Sequence, residues 1–205
     1  MSEKKLCTIE ELQEEVKNTV SEKRYKHCLG VKKELQYLFD RYGTKNEIIK
    51  TDNYDAPSFL GLAHDWAREY SNSELFSYCK QQHLQLDSDQ KRVIVLAHGL
   101  VASDLVKKRC MPVPNSWLVA INEHTNGNVH MGYLGLHLFV ADFIEETRSF
   151  LKKEDRDYYH SFATLNEVGK HVLNSMLAHW TSEGIVASKK TQELERFWAE
   201  GREIE

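Results

Sequence analysis

The chain has 205 residues, of which 41% are hydrophobic, enough to bury the core of one globular domain. Its formal net charge is -4 and its sequence pI is near 6.2, with lysine and arginine scattered among acidic residues. This pattern excludes a basic footprint for nucleic acid. No run approaches the roughly 20 apolar residues that span a bilayer, and the first residues lack the apolar centre of a secretory signal. We therefore expect a cytoplasmic protein with no nucleic-acid or membrane partner.

The cysteines indicate no covalent framework. They are far apart in sequence and show no Cys-x-x-Cys spacing, which argues against a zinc knuckle and against disulfides. We expect all four to be reduced thiols that serve mostly in packing: Cys7, Cys28, Cys79 and Cys110.

The apolar spacing predicts an all-α fold, and the three prolines interrupt it little. Thr8 followed by Glu11 predicts a capping box for a first short helix. Ser21 is a plausible N-cap for a second helix that runs toward Gly43.

A third helix is predicted after Pro57 and through Tyr70. In such a helix His64 and Asp65 would point about 100° apart around the axis and could meet only along its edge. Further helices are expected near residues 73–83, 90–108, 115–124, 131–148, 156–180 and 189–201.

Six polar side chains lie within apolar segments, where a lone ionisable group is costly to bury. Asp142, for example, lies in residues 133–144, where apolar residues cover nearly every helix face, so we expect it to be buried. Taken singly, such a histidine is more often a hydrogen-bonded core residue than a ligand. As an ordered set they favour a metal site, which holds imidazoles neutral and carboxylates ionised. The set is His27, His64, Asp65, His98, His124 and Asp142.

The segments around these side chains resemble the HD-domain metal-dependent phosphohydrolases, and within them the bacterial symmetrical bis(5'-nucleosyl)-tetraphosphatases. The His-Thr-x-Gly and Ala-Asp-x-Ile-Glu sequences narrow the choice to this subfamily. The resemblance covers residues 21–148, and its matching segments are residues 24–31, 62–68, 97–102, 123–127 and 140–148.

The resemblance implies an HD-domain helical bundle with additional C-terminal helices. Residues 1–20 would form an N-terminal helix, residues 21–150 the phosphohydrolase core, and residues 151–205 helices that pack on the same domain.

The resemblance also implies a dinuclear metal centre bridged by Asp65. Iron is the metal that this family suggests, while imidazole and carboxylate ligands also admit manganese, cobalt or zinc. One metal would be held by His27, His64 and Asp142, and the other by His98 and His124.

For activity, the resemblance implies symmetrical cleavage of diadenosine tetraphosphate to two ADP by a metal-bridging hydroxide. The catalytic residues would be Asp65, His98 and His124. Arg68, on the helix face of His64, and Arg148 could bind phosphate, although spacing alone allows a solvated face equally well. Thr125 and Gly127 could offer a hydroxyl and an open backbone to the nucleotide.

Four positions depart from the family pattern. Arg68 stands where lysine is usual, Gly135 and Leu136 replace an acidic-lysine pair, and Asn128 replaces a frequent basic residue. Because these departures leave fewer cations to bind the phosphates, the sequence allows two alternatives to a hydrolase of dinucleoside polyphosphates. One is the same centre acting on another nucleotide or a phosphomonoester, and the other is a non-catalytic nucleotide sensor. The sequence also leaves open a homodimer and the role of the segment after Arg148.

Overall fold

The computed structural model describes residues 5, 6, 8–110 and 112–205, so Cys7 lies outside the described residues. Within this part of the chain there are eleven α-helices, one 3-10 helix and two isolated β-bridges but no strand, which confirms the all-α prediction. The α-helices are α1 (Ile9–Thr19), α2 (Glu22–Tyr42), α3 (Ala56–Ala63), α4 (Asn72–Gln81), α5 (Ser88–Arg92), α6 (His98–Arg109), α7 (Asn115–Glu123), α8 (Gly132–Ile144), α9 (Lys153–His160), α10 (Leu165–Ser182) and α11 (Lys189–Ala199).

The ends of the first two helices follow the local signals in the sequence. Thr8 accepts a hydrogen bond from the backbone N–H of Glu11 at the start of α1, and Ser21 does the same for Arg24 at the start of α2. Gly43 follows α2 with a φ of 70°, a left-handed conformation that glycine adopts without strain.

The third helix ends earlier than predicted, at Ala63. Residues 64–69 form turns in which hydrogen bonds join residues three apart, as from the Arg68 N–H to the Asp65 carbonyl at 3.0 Å. The expected placement of His64 and Asp65 on one helix is therefore wrong, and Arg68 does not share a helix face with His64. The spacing of apolar residues gave too long a helix because the segment is buried nearly throughout, so apolar residues occur on all sides.

Two other predicted helices are interrupted, and α8 ends at Ile144 instead of continuing to residue 148. The helix predicted over residues 90–108 is split into α5, a 3-10 helix (Ile94–Ala97) and α6, with Val93 at φ −134° and ψ 86°. The helix predicted over residues 156–180 is split into α9 and α10, and Thr164 with Glu167 forms a capping box at the start of α10.

The helices pack so that α2, α3, α7 and α8 surround the core, and α10 lies against α8. A glycine permits the closest approach of α2 and α3, since a Cβ on Gly61 would lie 2.5 Å from the Cα of Lys32. Among the described helices, none is both long and apolar enough to cross a bilayer. The ends of α3, α7 and α8, the start of α6 and the first third of α2 converge near one point, where the polar side chains collect.

Candidate metal centre

The structure brings together all six side chains of the predicted ligand set. His27 comes from α2, Asp142 from α8 and His98 from the first position of α6, while His64, Asp65 and His124 follow directly after helices. We expected Asp142 to be buried, but 21% of its side chain is exposed, because it faces a cavity. The other members are buried: His27, His64, Asp65, His98 and His124.

The carboxylate of Asp65 lies at the middle of the cluster, with imidazoles on both sides. Its Oδ2 lies 3.5 Å from His27 Nε2 and 3.6 Å from His64 Nε2. Its Oδ1 lies 3.3 Å from His98 Nε2 and 3.6 Å from His124 Nε2. Each carboxylate oxygen therefore faces a separate pair of imidazole nitrogens.

The four imidazoles are held in one orientation, with Nδ1 turned away from the cluster. His64 Nδ1 donates to Gly61 O at 3.0 Å, His98 Nδ1 to Val95 O at 2.8 Å, and His124 Nδ1 to Ile121 O at 2.7 Å. His27 Nδ1 donates to Glu145 Oε1 at 2.9 Å. With Nδ1 as the donor, each neutral ring keeps its Nε2 lone pair for the centre, as metal-binding histidines require.

The carboxylates of Asp65 and Asp142 favour a cation in the centre, because the pKa of each is held well below its usual range and both are ionised. Burial raises the pKa of Asp65, but the surrounding imidazoles outweigh this effect and hold that pKa well below its usual range. Burial lowers the pKa of His64 and His98, which keeps both rings neutral near pH 7. Burial also opposes protonation of His27 and His124, yet nearby carboxylates outweigh it and raise the pKa of both rings.

The donor set fits metal ions. Two groups of ligand atoms lie within 4.8 Å of one another, one formed by His27, His64 and Asp65, the other by Asp65, His98 and His124. Asp142 Oδ1 adds a carboxylate oxygen to the first group, 3.0 Å from His27 Nε2. Imidazole nitrogen with carboxylate oxygen suits iron, manganese, cobalt or zinc. The cluster is thus compatible with a metal centre.

Glu145 is a functional candidate that the sequence reasoning did not assign, although it belongs to the Ala-Asp-x-Ile-Glu segment. It is fully buried, and it accepts hydrogen bonds at 2.6 Å from the N–H and the hydroxyl of Thr147 in addition to that from His27. Gly30 makes room for it: a Cβ there would lie 2.1 Å from Glu145 Oε2. Glu145 therefore fixes the ring of His27 from behind.

Arg24 is a second residue that was not assigned. It lies one turn before His27 on α2, and its Nη1 donates to Asp65 Oδ2 at 2.6 Å. Arg148 plays a similar part at the other carboxylate, where Nη2 contacts Asp142 Oδ1 and Nε donates to the Asp142 carbonyl at 2.7 Å. Both carboxylates of the centre thus have guanidinium partners.

A cavity of about 780 Å³ opens beside the centre, and three of the four predicted substrate-binding residues surround it. Arg68 and Arg148 line it, and the Arg68 guanidinium has no ion-pair partner in the described part of the chain. The Thr125 hydroxyl also lines it and lies 3.1 Å from His98 Nε2. Its apolar wall comes largely from rings and from the helices after residue 148: Phe139, Phe143, Phe150, Leu151, Tyr159, Met176 and Trp180.

Gly127, the fourth predicted substrate-binding residue, is buried and does not line this cavity. Its φ is 65°, and a Cβ there would lie 2.6 Å from Leu194 Cδ2 and 3.3 Å from Phe139 Cε2. This glycine is thus required by a left-handed turn and by close packing.

Of the four positions that depart from the family pattern, only Arg68 lines this cavity, and Gly135, Leu136 and Asn128 lie outside its lining. Gly135 and Leu136 are buried in α8, where Gly135 faces Met131 and Leu136 approaches Gly169 of α10. The Asn128 side chain donates to Glu123 at 3.1 Å.

No family model matches the chain. Its fold nevertheless has a solved counterpart in a crystal structure of a predicted HD superfamily hydrolase involved in NAD metabolism from Clostridium acetobutylicum. The two superimpose with a TM-score of 0.80 over 95% of this chain and 98% of that chain, at 24% sequence identity. The chain thus shares the fold of that protein, which is described as a predicted HD superfamily hydrolase, and the predicted helical bundle is confirmed.

Two named bacterial proteins are similar in sequence. The symmetrical bis(5'-nucleosyl)-tetraphosphatase of Bacillus subtilis (strain 168) is 27% identical over 138 residues, 66% of this chain and 68% of that protein. The protein of the same name from Halalkalibacterium halodurans is 26% identical over 139 residues, 66% of this chain and 67% of that protein. These similarities confirm the resemblance to HD-domain phosphohydrolases that the motifs indicated.

Proposed function

We propose that the protein is a metal-dependent hydrolase that cleaves diadenosine tetraphosphate symmetrically, consuming one water and releasing two ADP. The observation that carries the proposal is the position of Asp65, whose two oxygens each face a pair of imidazole Nε2 atoms. A carboxylate in this position is suited to bridge two metal ions. The names of the two similar bacterial proteins supply the substrate class.

In this proposal His27, His64 and Asp142 hold one metal ion, and His98 and His124 hold the other. Bound metal ions would supply an activated water near neutral pH and would neutralise charge on phosphoryl oxygens. Iron is the proposed metal, and manganese, cobalt or zinc would suit the same ligands.

The protein side chains around the cavity have separate tasks. Arg68 and Arg148 bind phosphate oxygens, since a guanidinium can donate two parallel hydrogen bonds to them. Thr125 directs a hydroxyl toward the reacting group from beside His98. Tyr159 and Trp180 on the cavity wall offer rings for packing against a nucleoside base.

Product analysis tests the proposal. The protein, purified without oxygen and analysed for bound metal, is incubated with diadenosine tetraphosphate and iron or manganese under reducing conditions. We expect ADP as the sole nucleotide product, and no turnover with Asp65→Asn. Equal amounts of ATP and AMP, or no turnover by the unaltered protein, would overturn the proposal.

A second candidate keeps the centre and changes the substrate. The solved structure with the same fold is described as a hydrolase involved in NAD metabolism, and NAD, like the proposed substrate, contains a phosphoanhydride. A parallel assay with NAD, mononucleotides and a phosphomonoester separates the two candidates. Faster metal-dependent turnover of any of these than of diadenosine tetraphosphate would favour the second.

A further inference from the structure

A second cavity, of about 630 Å³, reaches the centre from the start of α2. His27 and Glu145 line it, whereas His124 lines the cavity described above. Arg148 and Phe150 line both cavities. The two cavities therefore share the side chains of Arg148 and Phe150 and have different metal-ligand candidates in their walls.

Positive charge in the second cavity is available to an anion, because its carboxylates already have partners. Glu22 pairs with Lys26 at 2.7 Å, and Glu69 accepts from the backbone N–H and the hydroxyl of Ser21 at 2.6 and 2.7 Å. Lys23, which is exposed at the cavity, has no ion-pair partner among the residues that the structure describes.

Arg24 lines the same cavity and has unused hydrogen-bonding capacity. Its Nη1 contacts Asp65, but its Nε is buried and has no hydrogen-bond partner within the described residues. A buried guanidinium N–H without an acceptor is costly. The Arg24 side chain is 22% exposed, and a shift that opens its Nε to the cavity would let a phosphate oxygen accept from it and match the fork of the guanidinium.

Building on the proposed function, we propose that this second cavity binds the second nucleoside diphosphate half of the substrate. Lys23 and Arg24 bind its phosphates, while the first cavity holds the other half. The substrate thus extends from one cavity to the other past Arg148, which lines both, and the bond to be cleaved lies beside Arg148 and Asp142. Two halves held separately would give each chain two sites for the product ADP.

Calorimetric titration of the metal-loaded protein with ADP tests this proposal through binding stoichiometry. The test variant is Lys23→Glu, which places an acidic residue in the first turn of α2, where the helix dipole tolerates it. The matched control is Lys33→Glu on the same helix, an exposed position that lies outside both cavities and pairs with Glu146.

We expect two ADP per chain in the unaltered protein. Lys23→Glu should weaken one of the two sites about tenfold and leave the other unchanged, since one charge-assisted contact is replaced by repulsion. Lys33→Glu should leave both sites unchanged. A single ADP per chain, an equal effect of Lys23→Glu on both sites, or no effect at all would overturn the proposal.

Failure of this proposal is distinguishable from failure of the proposed function. Two ADP sites without hydrolysis of diadenosine tetraphosphate would refute the proposed activity and support the second binding site. Hydrolysis to ADP by a protein with a single ADP site would support the activity and refute the second binding site.

Discussion

Replacing Glu145 by glutamine isolates the part that this buried carboxylate plays in metal binding. Glutamine keeps the size of the side chain but removes the charge that accepts the hydrogen bond from His27 Nδ1 at 2.9 Å. The ring of His27 would become less basic and less firmly oriented. Loss of such a supporting contact typically weakens metal affinity 10- to 100-fold. On the scale of about 1.4 kcal/mol per factor of ten, we expect a loss of roughly 1.4 to 2.8 kcal/mol.

The assay is a calorimetric titration of metal-free protein with manganese, read as two classes of site. We expect Glu145→Gln to weaken the class that includes His27 and to leave the class formed by His98 and His124 unchanged. Glu146→Gln is the matched control, because the carboxylate of Glu146 is exposed and, among the described residues, forms an ion pair only with Lys33 at the surface.

Gly30→Ala tests the same contact without changing a charge. Alanine usually stabilises a helix interior relative to glycine by about 1 kcal/mol. Here its Cβ would lie 2.1 Å from Glu145 Oε2, so the carboxylate must move and its contact with His27 must change. We expect the same selective loss of manganese affinity as with Glu145→Gln.

The reasoning would be refuted if Glu145→Gln and Gly30→Ala both bound manganese as tightly as the unaltered protein at every site. It would also be refuted if Glu146→Gln caused an equal loss. Denaturant unfolding of each variant, measured in parallel, shows whether the fold is kept.

Three further predictions concern stability and substrate binding. Burial lowers the pKa of His137 from 6.5 to about 4. The neutral ring therefore contributes fully to stability above pH 6.5, and this contribution is lost as the pH falls toward 4. Denaturant unfolding should show a loss of roughly 3 kcal/mol in the free energy of unfolding across this range, and His137→Gln should lack that loss. Gly127→Ala should lower the free energy of unfolding by about 2 kcal/mol or more, because strain at a φ of 65° adds to a 2.6 Å contact with Leu194, whereas Gly201→Ala, with open space around it, should lose less. Arg68→Met should raise the KM for diadenosine tetraphosphate about tenfold, and Arg68→Lys should recover most of the lost affinity. Steady-state kinetics would contradict this prediction if the two variants had the same KM.

The sequence was sufficient for the helical class and for the set of polar side chains that meet. Caps such as Ser21 and Gly43 are local signals, and they placed α2 correctly. The cluster could be predicted because His98 and its neighbours in the cluster are ionisable residues within apolar segments. Their convergence requires tertiary packing, but their cost of burial is visible in the sequence.

The missing parts depend on contacts between residues far apart in the chain. Glu145 acts through His27, 118 positions away, and Arg24 acts through Asp65, 41 positions away. Neither pairing leaves a periodic signal. The helix end at Ala63 was missed because the buried segment stays apolar on all sides through a turn. The break at Val93, which is 38% exposed, was missed because no side-chain cap marks the start of the 3-10 helix that follows it. By contrast, the break before α10 carried a readable signal in Thr164 and Glu167.

Three of the four imidazoles in the centre owe their direction to the turn of chain in which they stand. His64, His98 and His124 each donate Nδ1 to the carbonyl three residues earlier. One turn of backbone and a terminal histidine thus make a self-contained unit that could be transplanted to the end of another helix. His27 lacks this independence, because its acceptor arrives from a distant helix end. A designer copying the centre would need to transfer three short peptides and one pair of packed helices.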